Sequence, residues 1–362
     1  MIPIPMTFWA SLGPETTNLL TSKQELNILM SGASQTGAIT SVDTSLSVVL
    51  WNGAISNVLT DDADDNMYRI ELTNATTVTV YRNQTANDTT PRVTVLEFNG
   101  DIVEATFSGT ITLGSGSTSQ VSTTHNAIKA NCVALWLGSE SQETSDVYAE
   151  AFNDLKVTGS DGSVTVTAAR NSSGSILECG YALIEFKSVG VNSIQEVDVD
   201  ISSTNTTATD TITAVDLDRS FILWGGHQTD NSAATFESAW GGLALTNSTT
   251  VTGTRGGSTG LCNINATVVE LAHDLVSVEE ISRTMTGTAK TQTFSLGTTL
   301  TDTSIAFVSF LGYHQNGITV DWNPNVDFTW IEILSTTQGQ SEVDSGSGTG
   351  KDVTNYAEVI QT

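Results

Sequence analysis

Three cysteines in 362 residues, Cys132, Cys179 and Cys262, are too few and too scattered for a disulfide framework or a zinc knuckle. They fall inside strand-like runs, where a free thiol behaves as a small hydrophobe. Basic residues are equally scarce: 13 against 40 acids, for a net charge of −27. That balance excludes a nucleic-acid-binding role, which needs lysine and arginine to displace phosphate counterions. It also disfavours an anionic membrane surface. No run reaches the 18 or so apolar residues of a spanning helix. The opening Met-Ile-Pro-Ile-Pro-Met lacks the basic and apolar regions of a secretory leader, so synthesis in a cytoplasm is expected. Helical periodicity is nearly absent.

Threonine and valine fill the space instead, and they alternate. Thr76-Thr-Val-Thr-Val-Tyr-Arg82, a polar turn, and Val93-Thr-Val-Leu-Glu-Phe98 read as a β-hairpin. The unit returns at Val164–Arg170 with Leu183–Phe186, and at Thr250–Arg255 with Val268–Leu271. Three landmarks keep one period of 85 or 88 residues: Trp51, Trp136 and Trp224; Arg82, Arg170 and Arg255; Glu97, Glu185, Glu270 and Glu358. A fixed period marks a repeat protein. The expected fold is all-β: four tandem small antiparallel β-sandwich modules of about 85–88 residues, at 26–102, 103–190, 191–274 and 275–362. Short linkers suggest beads in a row, or consecutive modules packed side by side. Residues 1–25 hold three of the five prolines and read as an extended N-terminal arm, with Phe8, Trp9, Leu12, Leu19 and Leu20 available to dock. Module four diverges: Val343 stands where arginine is due, beside a Ser/Gly-rich run from Ser335 to Asp352.

The segments Thr73-Asn-Ala-Thr-Thr-Val-Thr-Val-Tyr-Arg82 with Val95-Leu-Glu-Phe98, and Thr246-Asn-Ser-Thr-Thr-Val-Thr-Gly-Thr-Arg255 with Val268-Val-Glu-Leu271, resemble repeats in virion structural proteins of tailed bacteriophages. The resemblance covers roughly residues 26–362. It implies a non-enzymatic component exposed on the particle, a fibre or a tail or head decoration, attached by its arm to capsid or tail proteins. By analogy with fibres it implies a homo-oligomer, with a trimer favoured, and a host-surface glycan as a further partner. Two other classes stay open: a bacterial cell-surface adhesin or surface-layer spacer, and a carbohydrate-active enzyme or lectin. The second would need paired carboxylates in the cleft of a single module.

Candidate chemistry is thin, and no catalytic residue, cofactor or metal site is expected. His227 and His314 share a module position, which cannot assemble one triad, and His125 and His273 stand alone. Thr60-Asp-Asp-Ala-Asp-Asp-Asn66 offers oxygens to calcium without the spaced ligands of an EF-hand, so a solvated acidic loop is expected. The repeated tryptophans read as core. Tyr313, Trp322 and Trp330, beside the Ser/Gly run, are the candidates for ligand contact through stacking on sugar rings. Arginine and glutamate stand 15 residues apart in three modules. A wide loop would place them opposite one another as an ion pair. A tight turn would put them at opposite ends of a long final strand, each with a different partner.

Overall fold

The computed structural model describes residues 18–56, 67–83, 89–143, 147–230, 236–272, 274–286, 291–316, 329–343 and 352–362. Each repeat supplies six strands. The first gives β1 (Leu20–Asn27), β2 (Ser34–Ala38), β3 (Ser47–Ser56), β4 (Arg69–Asn74), β5 (Thr77–Tyr81) and β6 (Thr89–Phe98). The second gives β7 (Val103–Leu113), β8 (Ser119–Val121), β9 (Cys132–Ser141), β10 (Asp154–Ser160), β11 (Ser163–Ala169) and β12 (Leu177–Phe186). The third gives β13 (Val191–Ile201), β14 (Thr207–Thr211), β15 (Ser220–Thr229), β16 (Gly241–Asn247), β17 (Thr250–Arg255) and β18 (Cys262–Leu271). The fourth gives β19 (Ser277–Met285), β20 (Thr291–Ser295), β21 (Phe307–Asn316), β22 (Thr329–Ser335), β23 (Gln338–Val343) and β24 (Asp352–Gln361).

These strands do not close into four separate sandwiches. The first, sixth and third strands of a repeat form half of one sheet, and its fourth, fifth and second strands extend the next. Thus β7-β12-β9 continues into β4-β5-β2 of the first repeat, and β13-β18-β15 into β10-β11-β8 of the second. The last repeat returns to the start, where β22-β23-β20 completes the sheet of β1-β6-β3. Four six-stranded antiparallel sheets therefore stand in a ring, a four-bladed β-propeller arrangement. Beads in a row are excluded, because every repeat donates half a sheet to its neighbour and the fourth donates to the first.

Burial explains where the alternation is legible. Edge strand β7 alternates between buried and exposed along its length, whereas β12, flanked on both sides, is buried at nearly every residue. One apolar core runs through the ring, with a second cluster around Phe294, Val308 and Ile331 in the fourth repeat. The arm is shorter than expected. Leu19 and Leu20 are buried and Leu20–Asn27 is strand β1, so residues 20–25 belong to a sheet. Phe8, Trp9 and Leu12 lie outside the described residues.

Candidate functional site

Propellers commonly bind ligands along the axis of the ring, so the residues that line it are the first candidates. The two halves of each sheet meet through one residue pair: Arg69 with Gly138, Asp154 with Gly226, Gly242 with Gly312, and Trp330 with Gly53. All four partners are glycines at φ between +84° and +102°, each two residues after an axial aromatic: Trp51, Trp136, Trp224 and Phe310. An added Cβ at Gly53, Gly138, Gly226 or Gly312 would run into the carbonyl of Thr329, Tyr68, Asn153 or Gly241 across the seam. Only glycine tolerates both the left-handed backbone and that approach. The recurrent aromatic-x-Gly was readable in the sequence, and it also supplies Phe310, the fourth counterpart of the repeated tryptophans.

The axis is sealed rather than hollow. Trp51 meets Trp136 edge-on at 5.3 Å and Phe310 at 5.4 Å, and the space beside the four aromatics is about 10 Å³, room for one water at most and none for a larger ligand. Trp240 fills the neighbouring volume, stacked on Tyr313 at 5.3 Å and edge-on to His227 at 4.3 Å. Neighbouring side chains serve the indole N–H groups unevenly. Trp51 donates to the Tyr68 hydroxyl at 2.7 Å and Trp136 to Asn153 Oδ1 at 3.3 Å. In the third repeat that position is Gly241, and the Trp224 N–H has no partner.

The histidines sit in this aromatic surrounding. Burial pushes His227 down to about 3, and both of its ring nitrogens lack hydrogen bonds. Burial lowers His314 to about 4, and its Nδ1 lies 3.1 Å from the Tyr356 hydroxyl. The two do not share a position: the residue directly after each seam glycine is His227 in the third repeat and Tyr313 in the fourth. Neutral imidazoles in apolar pockets are poor general bases at neutral pH. Tyr313 and Trp330 are buried, so neither offers a face to a ligand, and Trp322 lies outside the described residues.

Arginine and glutamate occupy opposite ends of each of the first three repeats, as the second of the two geometries requires. The buried Arg170 guanidinium donates to the carbonyls of Ser117, Glu150 and Ser175, and Arg255 to those of Ser202, Asn205, Ser238 and Gly260. Arg82 reaches the carbonyls of Gly32 and Met30. Each arginine thus ties loops at one end of the ring; we call this the loop end. At the other end, the turn end, Glu97 accepts the Asp43 N–H at 2.8 Å, Glu185 the Ile128 N–H at 2.7 Å and Glu270 the Asp216 N–H at 3.3 Å. Glu97 also accepts from the Ser22 hydroxyl, and Glu270 from Asn192 and Ser193 and, at 3.5 Å, from Arg219; in none of the three repeats does the periodic arginine meet its glutamate. Val343 takes the arginine's backbone position beside Trp330. Glu358, however, is out of register: it pairs with Ser309, and Gln361 holds the position of the other three glutamates. Glu358 is instead buried against the third repeat and accepts the Ile222 N–H at 2.6 Å; burial raises its carboxyl well above the ordinary value.

Three hollows among the described residues are each lined by two carboxyls: Glu104 with Glu185, Asp161 with Glu196, and Glu143 with Glu150, of which the last two are in hydrogen-bond contact. A hollow of about 530 Å³ at the loop end of the second repeat is lined by Ser115, Gln142, Glu143, Glu150 and Ser175. Burial works to raise the Glu150 carboxyl, but hydrogen bonds with Glu143, Ser175, the Gly174 N–H and Ser172 outweigh it and hold Glu150 low. Carboxyls in mutual hydrogen-bond contact are closer than the ~5 Å or more that flanks a glycosidic bond. The acidic stretch Thr60–Asn66 lies outside the described residues. Cys132, Cys179 and Cys262 are free and buried, and burial pushes each thiol up to about 12. No protein-family model and no curated protein matches the chain.

Proposed function

We propose that this chain is a non-enzymatic structural protein of a phage virion, displayed on the particle and attached through the segment that precedes β1. The observation that carries this reading is how the recurring polar residues are used. Arginine and glutamate, which keep the period of the repeat, are consumed in holding backbone carbonyls and N–H groups at the two ends of the ring. Residues spent in this way build a rigid platform. What varies from repeat to repeat is the set of loops gathered by the arginines, and loops on a rigid scaffold are the usual seat of recognition. The resemblance of the repeats to phage structural proteins supplies the setting, and the net charge of −27 suits a soluble, exposed surface.

In this reading the partners are capsid or tail proteins on one side and a host-surface glycan at the loop end. Copies of the chain associate with one another, by analogy with fibres as trimers. Mass spectrometry of density-purified particles tests the assignment: the chain should co-purify at a fixed ratio to the main virion proteins. Recovery only as free protein in host lysate would overturn it. Deleting residues 1–17 should abolish incorporation while leaving the thermal transition of the ring unchanged; normal incorporation would refute the anchoring role.

A further inference from the structure

Four copies of one unit allow each repeat to serve as a control for the others. After its second strand every repeat lays a short strap beside its fifth strand, and one backbone bond marks the same point in each. The N–H groups of Ile39, His125, Ile212 and Leu296 donate to the carbonyls of Thr76, Val164, Thr249 and Thr337, at 3.0, 2.7, 3.0 and 2.9 Å. Each acceptor stands six residues before the periodic arginine, or before Val343 in the fourth repeat. Three of the four donors are aliphatic. The second repeat has a histidine.

The grip on the strap differs in the same repeat. In the first, Gln24 accepts the Thr40 N–H at 2.6 Å and donates to the Thr40 carbonyl at 3.0 Å. In the third, Gln195 holds Thr213 in the same way, at 2.7 and 3.1 Å. In the fourth, Glu279 accepts the N–H groups of Gly297 at 2.6 Å and Thr298 at 3.1 Å. The pairing of first and sixth strands puts Phe107 at this place in the second repeat: Gln24 faces Val95, Phe107 faces Leu183, Gln195 faces Val268 and Glu279 faces Val359. A phenyl ring cannot clamp a backbone. The His125 ring packs on it instead, with centroids 4.7 Å apart, and His125 Nε2 lies 3.1 Å from the Tyr181 hydroxyl. Tyr181 stands where the sister repeats have Val93, Ala266 and Ala357. Its ring fits because Gly109 faces it; a Cβ there would come within 3.0 Å of the hydroxyl, and the sister residues are Leu26, Val197 and Ile281. Four positions depart together, and a backbone clamp gives way to an imidazole between two aromatic rings.

We infer that the strap at residues 122–128 is an acid-sensitive latch: the neutral His125 ring holds it on β7 and β12, and a proton on that ring releases it. Histidine is the side chain whose charge changes near neutral pH. Packing between Phe107 and Tyr181 removes water that an imidazolium needs, and this burial lowers the affinity of His125 for a proton. The charged groups on the elements around the strap gather at its other end. Glu185 of β12 accepts the Ile128 N–H at 2.7 Å, Asp161 of the β10–β11 turn accepts the Lys129 N–H at 2.9 Å, and Glu104 of β7 pairs with Lys187. Because the closed strap favours the neutral ring, its hold is complete above the ordinary histidine value of ~6.5 and is lost as the pH falls below it. Release bares Phe107 and Tyr181, while β11 keeps its pairing with β10.

Hydrogen–deuterium exchange of the whole chain at about pH 7.5 and about pH 5, corrected for the intrinsic pH dependence of exchange, reads the latch. Peptides covering residues 122–128 should exchange about threefold faster or more at the acid pH, and those covering Ile39 and Ile212 should not change. The double variant Phe107→Gln with His125→Ile carries the residues of the first and third repeats and should keep the strap closed at both pH values. His125→Phe keeps the ring contact without a titrating group and should behave likewise, which covers the case of a double variant that does not fold. The inference is overturned by a wild-type strap that exchanges alike at both pH values, by first and third straps that open with it, or by an acid response that survives in either variant. None of these results bears on incorporation into particles, which the inference does not require.

Discussion

The seam between the first and second repeats and the seam between the second and third share one backbone and place a residue of opposite charge at the same point. In both, a residue of the fourth strand meets a left-handed glycine of the neighbouring repeat. At the first seam that residue is Arg69, packed over the Tyr81 ring at 4.2 Å and paired with Glu71 at 3.0 Å, Glu178 at 3.6 Å and Glu140 at 3.7 Å. At the second seam it is Asp154, whose Oδ1 accepts from Gln228 at 2.7 Å and whose Oδ2 is buried without a partner. The residue facing each from the sixth strand is fitted as well: Gly180 leaves room for the Arg69 stem, and at the third seam the Tyr356 ring fills the space over Gly242. Arg92 closes the ring, stacked on Trp330 and paired with Glu332 at 2.6 Å. Four different side-chain fits on one repeated backbone specify which half-sheet joins which, and so disfavour mispairing among near-identical repeats.

If the backbone at the seams is common and the side chains private, backbone damage should be alike at every seam and the largest effect of all. Gly138→Ala and Gly226→Ala should each destabilise by upward of about 3 kcal/mol, since each adds left-handed strain to a collision with a carbonyl. Chemical denaturation measures this, and a loss under about 1 kcal/mol at either site would mean the seams are not built alike.

Side-chain changes should then divide the two seams by sign. Arg69→Met strands Glu140 and Glu178. The loss should be about 2 kcal/mol, below the range for a fully buried pair because Glu178 is 38% exposed. Burial and the nearby Glu178 already raise Glu140, so the deficit should shrink as pH falls and that carboxyl protonates. Asp154→Asn should do the opposite and stabilise. Burial raises the Asp154 carboxyl to about 6, against the pull of Gln228 and Lys156. A carboxyl raised in the folded state binds its proton more tightly there than in the unfolded chain. Its contribution therefore favours folding below pH ~4, is lost between pH ~4 and ~6, and stays lost above. Holding this carboxylate ionised in the folded chain costs at most about 3 kcal/mol, and the new amide's unpaired donor takes back part, leaving a gain of about 1 to 2 kcal/mol at pH 8. Melting curves at pH 4 and pH 8 check it; a gain that persists at pH 4 would assign the effect to packing.

The strands, the period and the number of repeats were legible in the sequence because each repeat must bury the same faces. The hairpin pairing was not: β5 and β6, β11 and β12, and β17 and β18 follow one another in the chain but stand in different sheets, because the fourth, fifth and second strands cross to the neighbouring repeat. Nor was ring closure. The partner of β9 across the seam is a strand of the preceding repeat, and one residue pair with a glycine leaves no periodic trace except the aromatic-x-Gly spacing. The arginine and glutamate drew notice as a charged couple, yet Arg170 and Arg255 hold backbone carbonyls, and the glutamates hold backbone N–H groups together with nearby side chains such as Ser22 and Arg219, none of which keeps the period. Glu358 shows how far period-counting reaches. It falls at the right interval, but the fourth repeat is offset by three residues along β24, and Gln361 holds the place.

The smallest effect is the most selective. Lys156 stands on β10 two residues beyond Asp154 and pairs with Asp198 of the third repeat, both partly exposed. A pair so placed is worth about 0.5 kcal/mol, so Lys156→Met should barely move the stability at pH 8. It should nonetheless move the pH dependence, because the ammonium helps to hold Asp154 down while Asp198 and Glu196 push it up. Without Lys156 the loss of stability should start at the same pH but continue to a higher pH than in the wild type, which moves its midpoint up. Repeating the titration in an Asp154→Asn background isolates the cause. If the midpoint still moves there, another carboxylate carries the pH dependence of the second seam; if the dependence disappears, Asp154 is the group that sets it apart from the first.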